Sequence, residues 1–232
     1  MTIESYREII SAKKVGFRQS GLAKIPSLNS SLKPHQAHCV EFALRAGCCA
    51  HFAETGLGKS FMALEFGRIV VEHTNKPVLL LAPLAVGPQH AREAARWGID
   101  AVYRREPDAS DTARIVITNY ERLDHFDASK FAGIILDEAS ILKSFTGITT
   151  RKLIETFKNT PFRLSATATP APNDHMELGQ QSAFLGAMAA NEMLSRWFIA
   201  DHKQMGRYRL KGAAINPFWE WVASWARCIS KP

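Results

Sequence analysis

The sequence has few cysteines, and their spacing does not suit a metal site or a disulfide framework. The four are Cys39, Cys48, Cys49 and Cys228, with no C-x-x-C pair among them. Two of them are adjacent in an apparent strand, so we expect buried free thiols rather than a zinc site or disulfides. The eight histidines also lack the spacing of metal ligands.

Long apolar runs are missing as well. No apolar run approaches the length needed to cross a bilayer, and the charged segment Met1–Glu8 lacks the apolar core of a secretory signal. We therefore expect a cytoplasmic protein with no membrane partner. The chain has no internal repeat, and its 232 residues, 46% of them hydrophobic, suffice for one large α/β domain.

Acidic residues are outnumbered by basic ones, 22 against 29, for a formal net charge of +7. The excess is concentrated in two segments. Residues 1–34 carry six Lys or Arg against two acids, and residues 196–211 carry five against one. This balance permits a polyanionic partner such as a nucleic acid. Ordinary solvated surface explains both segments equally well.

From Leu32 to about Thr169, short apolar runs alternate with helical patterns. Continuous apolar runs are typical of strands in a parallel sheet that is buried on both faces. We therefore predict an α/β fold, a doubly wound parallel sheet with helices on both faces, whose ligands bind at the carboxyl ends of the strands. The predicted strands are 48–53, 77–82, 114–118, 131–137 and 162–167, and the predicted helices are 35–46, 60–73, 88–97 and 147–158.

The two ends of the chain differ from this alternating middle. Residues 1–30 are predicted to form a helix followed by a connection that contains Ser, Pro and Asn. Residues 175–232 show no obvious strand. Helices are predicted over 175–199, a basic loop over 200–216, and a last helix around 218–225.

The last predicted helix is rich in tryptophan. Its side chains Trp219, Trp221 and Trp225 can stack on the bases of a nucleic acid. The same spacing suits a helix that packs its aromatic side chains against the rest of the domain. Packing is the favoured interpretation of the two.

The most informative segment is a glycine-rich turn between an apolar run and a helical pattern. Gly56 and Gly58 allow a tight turn that directs successive N–H groups at phosphate oxygens. Lys59 can reach the β and γ phosphates, and the Ser60 hydroxyl can ligate Mg²⁺. The flanking patterns argue against the alternative, an ordinary strand–helix turn. The segment reads Ala53-Glu54-Thr55-Gly56-Leu57-Gly58-Lys59-Ser60.

Two adjacent carboxylates follow the apolar run Ile134–Leu136. In a protein with a phosphate loop, such carboxylates hold Mg²⁺ and activate the attacking water. Asp137 would contact Mg²⁺, mostly through its water shell, and Glu138 would orient or deprotonate the water. The alternative is that both residues only cap the next segment. ATP and Mg²⁺ are therefore the expected cofactors, with Lys59, Asp137 and Glu138 as catalytic residues.

With these motifs in this order, the chain resembles the N-terminal RecA-like domain of a superfamily 2 helicase. It is most similar to the Swi/Snf-like branch, as found in phage and prophage helicases. The resemblance runs from about Leu32 to at least Phe184. It implies an ATP-dependent helicase or translocase that contacts the backbone of DNA, with duplex DNA favoured. Leu32–Gln36 resembles the adenine-recognising motif, in which Gln36 would read the adenine edge. Glu54–Ser60 resembles motif I, and Asp137–Ser140 resembles motif II.

Other segments resemble further motifs of the family. Motif Ia (81–86, with Pro83) and motif Ib (117–121, with Asn119) imply contacts to nucleic acid. Motif III has two overlapping registers, Ser165–Thr167 and Thr167–Thr169, and the following proline favours the second. The resemblance implies that Ser165, Thr167 and Thr169 couple the ATP state to nucleic acid. The candidate phosphate contacts in the basic loop are Lys203, Arg207, Arg209 and Lys211.

The sequence departs from the family in two respects. Motif II carries Ala139-Ser140 where the family has other residues, so its coupling to motif III is expected to be modified. The chain also shows the pattern of one RecA-like domain, whereas family members bind ATP between two and take arginine fingers from the second. We expect a half-motor that binds ATP weakly and hydrolyses it poorly. Its predicted parts are a basic helical extension (1–31), an ATP-binding domain (32–185), and a helical and basic linker (186–232) towards a second domain.

Two other functions stay open. A stand-alone phosphate-loop NTPase or small-molecule kinase is disfavoured by the ordered motifs Ia, Ib and III. A nucleic-acid-binding module with a vestigial ATP site is disfavoured by the intact Lys59, Asp137 and Glu138.

Overall fold

The structure of the protein is a computed structural model that describes residues 16–143, 147–171, 174–200 and 208–231. It contains nine strands within these residues. Five of them match the predicted strands closely, and four are additional. They are β1 (Cys48–Ala53), β2 (Val78–Ala82), β3 (Ala101–Tyr103), β4 (Ile115–Asn119), β5 (Gly133–Asp137), β6 (Phe162–Thr167), β7 (Phe198–Ala200), β8 (Tyr208–Leu210) and β9 (Ala226–Ile229).

The four helices predicted between strands are confirmed, each within about one residue at either end. Short 3₁₀ turns cover Tyr120–His125, Ala128–Lys130, Ala139–Lys143, His175–Glu177 and Gly212–Ala214. The α-helices are α1 (Pro34–Ala46), α2 (Lys59–Thr74), α3 (Gly87–Arg96), α4 (Ile148–Phe157), α5 (Leu178–Leu185), α6 (Ala190–Trp197) and α7 (Ile215–Trp225).

Seven strands form one sheet in the order β3-β4-β2-β5-β6-β1-β9, and all neighbouring pairs are parallel. The predicted doubly wound parallel sheet is therefore confirmed. Because β6 lies between β5 and β1, the segments that follow these three strands meet at one edge of the sheet. The phosphate loop, the Asp137–Glu138 pair and motif III all follow them.

Both faces of the sheet are covered, which explains the unbroken apolar runs. In β2, Val78 and Leu80 face a core shared with α1, α2 and α3, while Leu79 and Leu81 face a core shared with α4 to α7. All four of these side chains are fully buried. Among the described residues, no helix combines the length and the apolar character needed to cross a bilayer.

The prediction that residues 175–232 contain no strand is wrong. β7 and β8 form an antiparallel hairpin, and β9 pairs with β1 at the edge of the main sheet. These strands have only three or four residues, too few to show a pattern, and β9 is defined by pairing with a strand more than 170 residues earlier. The predicted N-terminal helix falls largely on residues 1–15, outside the described residues, and residues 16–33 contain no helix.

Packing is confirmed as the role of two of the three tryptophans in α7. Trp221 and Trp225 are 1% and 0% exposed, and their rings pack edge to face with centroids 5.3 Å apart. Trp219 is 43% exposed. The expected burial of the cysteines is confirmed for three of them, while Cys228 is exposed. Burial raises the pKa of the Cys39 thiol to about 11.

An extended segment before α1 caps the C-terminal end of that helix. The backbone N–H groups of Ser20, Gly21 and Leu22 donate to the last carbonyls of α1, at 3.1, 3.1 and 2.8 Å. A Cβ atom at Gly21 would lie 2.0 Å from the Leu44 carbonyl oxygen. Only glycine allows this close approach, so the segment depends on it to satisfy carbonyls that the helix itself leaves unpaired.

Gly21→Ala is therefore expected to destabilise the fold by about 1–3 kcal/mol, since the added carbon meets backbone that cannot yield. Urea unfolding followed by circular dichroism measures the change. Gly212→Ala is the matched control, because a Cβ atom there meets nothing within 4 Å. Equal unfolding midpoints for the two variants would contradict the expected clash.

Candidate nucleotide-binding site

The phosphate loop lies between β1 and the first turn of α2. Gly56 and Gly58 have φ angles of 86° and 81°, in the left-handed region that favours glycine. A side chain at Gly58 would also place a Cβ atom 2.2 Å from the Gln36 amide nitrogen. Loop backbone at the start of a helix directs its N–H groups and the positive helix end towards one place, which suits an anion.

Lys59, the first residue of α2, turns back over the loop. Its ammonium group donates to the carbonyl oxygens of Ala53 and Glu54, at 2.8 and 3.2 Å. The loop is also tied to the end of the sheet, since the Glu54 N–H donates to the Ile229 carbonyl at 3.1 Å. Strand β9 therefore supports the loop directly. Thr55, Leu57 and Ser60 complete the predicted binding segment in the loop and first helical turn.

Gln36 joins the start of α1 to the phosphate loop. Its side-chain oxygen accepts the Lys33 N–H at 2.9 Å, and its side-chain nitrogen donates to the Leu57 carbonyl at 3.0 Å. Gln36 is 7% exposed. The structure thus places this residue beside the loop, while its contact with adenine stays a prediction.

Asp137 is the last residue of β5 and is held at two points. Its carboxylate oxygen Oδ2 lies 2.7 Å from His90 Nε2, and its backbone carbonyl accepts the Tyr120 hydroxyl at 2.8 Å. Burial, and then the charges of Asp137 and Glu138, raise the pKa of the Tyr120 phenol well above its ordinary value. The phenol therefore stays protonated and keeps its donor role.

Glu138 adopts a φ angle of 52°, in the left-handed region that is unfavourable for a glutamate. Its carboxylate oxygen Oε1 accepts the Thr167 hydroxyl at 3.1 Å, and Thr167 in turn accepts the Thr169 N–H at 3.1 Å. Strained backbone in a native fold is often found where function requires a particular side-chain direction. Thr167 belongs to both possible registers of motif III, and its hydroxyl contacts Glu138.

Ser165 forms a second link between motif III and motif II. Its hydroxyl donates to the side-chain oxygen of Gln181, whose side-chain nitrogen donates to the Ala139 carbonyl at 3.1 Å. Ser165, Gln181 and Ala139 are all buried. Motif III therefore touches the segment after β5 at two places, through Thr167 directly and through Gln181.

Sequence reasoning missed three residues of this site, His90, Tyr120 and Gln181. Each contacts motif II from a position that lies 17 to 47 residues away in the chain. The sequence pointed to two of them only through their positions near recognised motifs. His90 follows motif Ia, and Tyr120 lies within motif Ib.

The residues at the sheet edge fit Mg²⁺ bound together with nucleotide phosphates. Mg²⁺ prefers oxygen ligands and usually keeps several waters, using one or two carboxylates and the phosphates. His90 engages Oδ2 of Asp137, and within the described residues Oδ1 has no protein partner. Ser60 lies in the first turn of α2. Within the described ranges, no group of three His, Cys, Asp or Glu side chains could hold a metal alone.

The predicted nucleic-acid contacts are placed differently from one another. Pro83 follows β2 in a loop whose next residue, Leu84, is 67% exposed. Asn119 is fully buried, and its amide accepts the Tyr103 hydroxyl at 2.6 Å and donates to the Ala82 carbonyl at 3.3 Å. The Asn119 side chain therefore braces the sheet edge, and its contact with nucleic acid stays a prediction.

Two of the four basic candidates lie within the described residues. Arg209 is exposed on β8. The Lys211 ammonium group donates to the carbonyls of Ser195 and Arg196, at 3.1 and 2.9 Å, at the C-terminal end of α6. Lys203 and Arg207 lie outside the described residues. Arg209 is thus the better-placed phosphate contact of the two, and the role stays a prediction for all four.

The SNF2-related domain family matches residues 35–205 of the chain, and the chain belongs to that family. The match begins beside Gln36 and includes the phosphate loop, motif II and motif III. No curated protein sequence resembles the chain closely enough to count as a match.

Several solved structures share the fold. The SWI2/SNF2 ATPase core from Sulfolobus solfataricus, in complex with dsDNA, has a TM-score of 0.70 at 18% identity, over 91% of this chain and 47% of that one. The UvsW helicase from bacteriophage T4 has a TM-score of 0.54 at 15% identity, over 80% and 66%. The Hef helicase domain from Pyrococcus furiosus has a TM-score of 0.56 at 17% identity, over 69% and 38%. The chain thus spans about half the length of the SWI2/SNF2 core, and the RecA-like fold is shared.

Proposed function

We propose that the chain is the ATP- and Mg²⁺-binding motor half of a DNA helicase or translocase, of the phage type within the Swi/Snf-like branch and cytoplasmic. The observation that carries the proposal is the hydrogen bond from Thr167 to Glu138. It joins motif III to motif II at the edge of the sheet where the phosphate loop also lies. Membership of the SNF2-related domain family supports the use of ATP.

Nucleotide binding is assigned to the loop and its neighbours. The backbone N–H groups of residues 55, 56 and 58 would face the β phosphate, and Lys59 would exchange its bonds to the carbonyls of residues 53 and 54 for phosphate oxygens. Ser60 and Asp137 would hold Mg²⁺, which neutralises charge on the phosphates when it is bound. Gln36 would read the adenine edge.

Hydrolysis is assigned to Glu138. Its carboxylate would accept a proton from the attacking water, and the Thr167 hydroxyl keeps one of its oxygens in place. A shift of the segment 165–169 on binding nucleic acid would move that hydroxyl and with it Glu138. This gives motif III a physical means to couple DNA to turnover.

Completion of the site is assigned to a second RecA-like domain. Phosphoryl transfer gains much of its rate from cations that lie against the transferring group, and arginine fingers from a neighbouring domain commonly supply them. The chain matches 47% of the S. solfataricus core, so that core has room for a second domain, which supports the assignment. We therefore expect ATP binding with poor turnover from the chain alone.

Duplex DNA is the proposed nucleic-acid partner. The S. solfataricus core was solved in complex with dsDNA, and it shares the fold over 91% of this chain. The exposed loop after Pro83 and the exposed Arg209 would contact the phosphate backbone. Such contacts position the protein without reading sequence.

The proposed partner is tested by fluorescence anisotropy of a labelled 30-base-pair duplex with the full chain. We expect affinity that falls steeply with salt and changes when a non-hydrolysable ATP analogue is added. Arg209→Ala should lower the salt slope by about one, as for one lost phosphate contact. Arg45→Ala is the control, because Arg45 is a surface arginine that pairs with Glu41 at the opposite end of the sheet. Binding that ignores the nucleotide would favour a vestigial ATP site, and no binding would exclude this partner.

A further inference from the structure

His90 is a buried histidine that contacts the proposed Mg²⁺ carboxylate. It lies on α3 and is 1% exposed, and its Nε2 atom is 2.7 Å from Oδ2 of Asp137. The contact spans 47 residues of sequence and joins the helix after motif Ia to the end of β5. Nothing in the motifs assigns a role to this side chain.

The surroundings of the ring decide which nitrogen carries the proton. Within the described residues, His90 Nδ1 is buried and has no hydrogen-bond partner. A buried N–H without an acceptor is costly, so the proton belongs on Nε2, where it is donated to Asp137. Nε2 is thus a fixed donor, and the carboxylate is its acceptor.

This single bond has a geometric consequence for Asp137. The Tyr120 hydroxyl fixes the backbone carbonyl of Asp137, and His90 fixes one carboxylate oxygen. A carboxylate held at these two points has a defined plane, and its second oxygen points in a defined direction. Partners that orient a metal ligand in this way commonly change metal affinity by about 10- to 100-fold when they are removed.

We propose that His90 is a positioning residue that orients the Asp137 carboxylate so that Oδ1 serves the nucleotide-bound Mg²⁺. The inference rests on the proposed function, since it requires that Asp137 be the Mg²⁺ ligand. His90 does not touch the nucleotide and acts through Asp137. A histidine that merely filled space would affect stability without affecting the Mg²⁺ requirement.

The alternative of a purely structural pair predicts a different set of measurements. If the His90–Asp137 bond only stabilises the packing of α3 against the sheet, its loss lowers the melting temperature and weakens nucleotide binding equally with and without Mg²⁺. If it orients the metal ligand, its loss acts on Mg²⁺ alone. The two roles are therefore separated by the Mg²⁺ dependence of nucleotide binding.

The test uses the full chain and a fluorescent ATP analogue, titrated in EDTA and then at rising Mg²⁺. His90→Phe keeps an aromatic ring but removes the donor, and His90→Gln keeps an N–H donor at a similar reach. We expect His90→Phe to raise the half-saturating Mg²⁺ concentration about tenfold and to leave the affinity in EDTA unchanged. His90→Gln should restore the wild-type Mg²⁺ dependence to within about threefold.

A second buried histidine provides the matched control. His51 on β1 is 1% exposed, and its ring bonds to the Cys39 carbonyl at 3.1 Å and not to Asp137. His51→Gln should lower the melting temperature and leave the half-saturating Mg²⁺ concentration as in the wild type. Should His90→Phe not fold, His90→Asn carries the same test, because its shorter amide does not reach Asp137.

Each outcome decides the matter. A wild-type Mg²⁺ dependence in the folded His90→Phe or His90→Asn variant would overturn the inference and leave the proposed function intact. An equal loss of affinity in EDTA and in Mg²⁺ would assign His90 a structural role and overturn it as well. If the wild-type chain showed no Mg²⁺-dependent nucleotide binding, the proposed function and the inference would both fall.

Discussion

Lys59→Ala is expected to weaken ATP binding by at least about a hundredfold, since the variant loses charge-assisted hydrogen bonds to phosphate, each contributing about 1.5–3 kcal/mol. The wild-type ammonium group already lies over the phosphate loop, bonded to the carbonyls of Ala53 and Glu54. The bond to Ala53 is partly buried and the bond to Glu54 is exposed, so their loss should lower the melting temperature only slightly. Isothermal titration with ATP and Mg²⁺ measures the loss.

The control for this prediction is Lys76→Ala. Lys76 follows α2 at the opposite end of that helix, next to the amino end of β2. It has the same charge and flexibility as Lys59 but lies far from the phosphate loop. Unchanged ATP affinity in Lys59→Ala would sink the assignment of the loop as the phosphate site.

Glu138→Gln is expected to reduce ATP turnover by about 10²- to 10⁴-fold, which is the usual contribution of a general base. The glutamine oxygen can still accept the Thr167 hydroxyl, so the local geometry should persist while the proton acceptor is lost. ATP affinity should stay within about threefold of wild type, because the side chain does not hold the phosphates. Single-turnover hydrolysis of radiolabelled ATP, with the chain in excess so that the low wild-type rate can be followed, gives the rate, and equilibrium binding gives the affinity.

Thr167→Val is the companion variant for that measurement. It keeps the shape of the side chain but removes the hydroxyl that donates to Glu138. Its turnover should fall less than that of Glu138→Gln, since the carboxylate remains and only its support is lost. Wild-type turnover in Glu138→Gln would instead require another residue to activate the water.

The central sheet was predictable because its strands are buried on both faces. Burial on both faces forces unbroken apolar runs such as Leu79–Leu81, and the phosphate loop fixes where β1 must end. The bounds of β1 and β6 agree with the predicted 48–53 and 162–167 at both ends. These strands could be predicted because burial on both faces leaves an unbroken apolar run in the local sequence.

The short outer strands were not predictable for the opposite reason. β3 and β9 have three and four residues, and they exist because a long neighbouring strand offers unpaired backbone groups. Residues 226–229 follow directly from the tryptophan-rich α7 without a turn signal. Their support of Glu54 through the Ile229 carbonyl is a tertiary contact that leaves no trace in composition.

The site divides in the same way. The residues from Glu54 to Ser60, with Asp137 and Glu138, could be predicted as site residues from their spacing, and their roles stay predictions. The residues that hold them, such as His90 and Gln181, reach motif II across the fold and could not be paired from sequence alone. Burial also changed the interpretation of one candidate, since the side chain of Asn119 is used inside the protein.

The most direct measurement is an equilibrium titration of the full chain with a fluorescent ATP analogue and Mg²⁺, competed with unlabelled ATP, beside an assay of phosphate release. The proposed function predicts saturable binding that ATP displaces, with little turnover by the chain alone. Robust DNA-stimulated turnover would contradict the half-motor, because the chain would then supply its own cation to the γ phosphate. A complete lack of ATP-displaceable binding would contradict the nucleotide site itself.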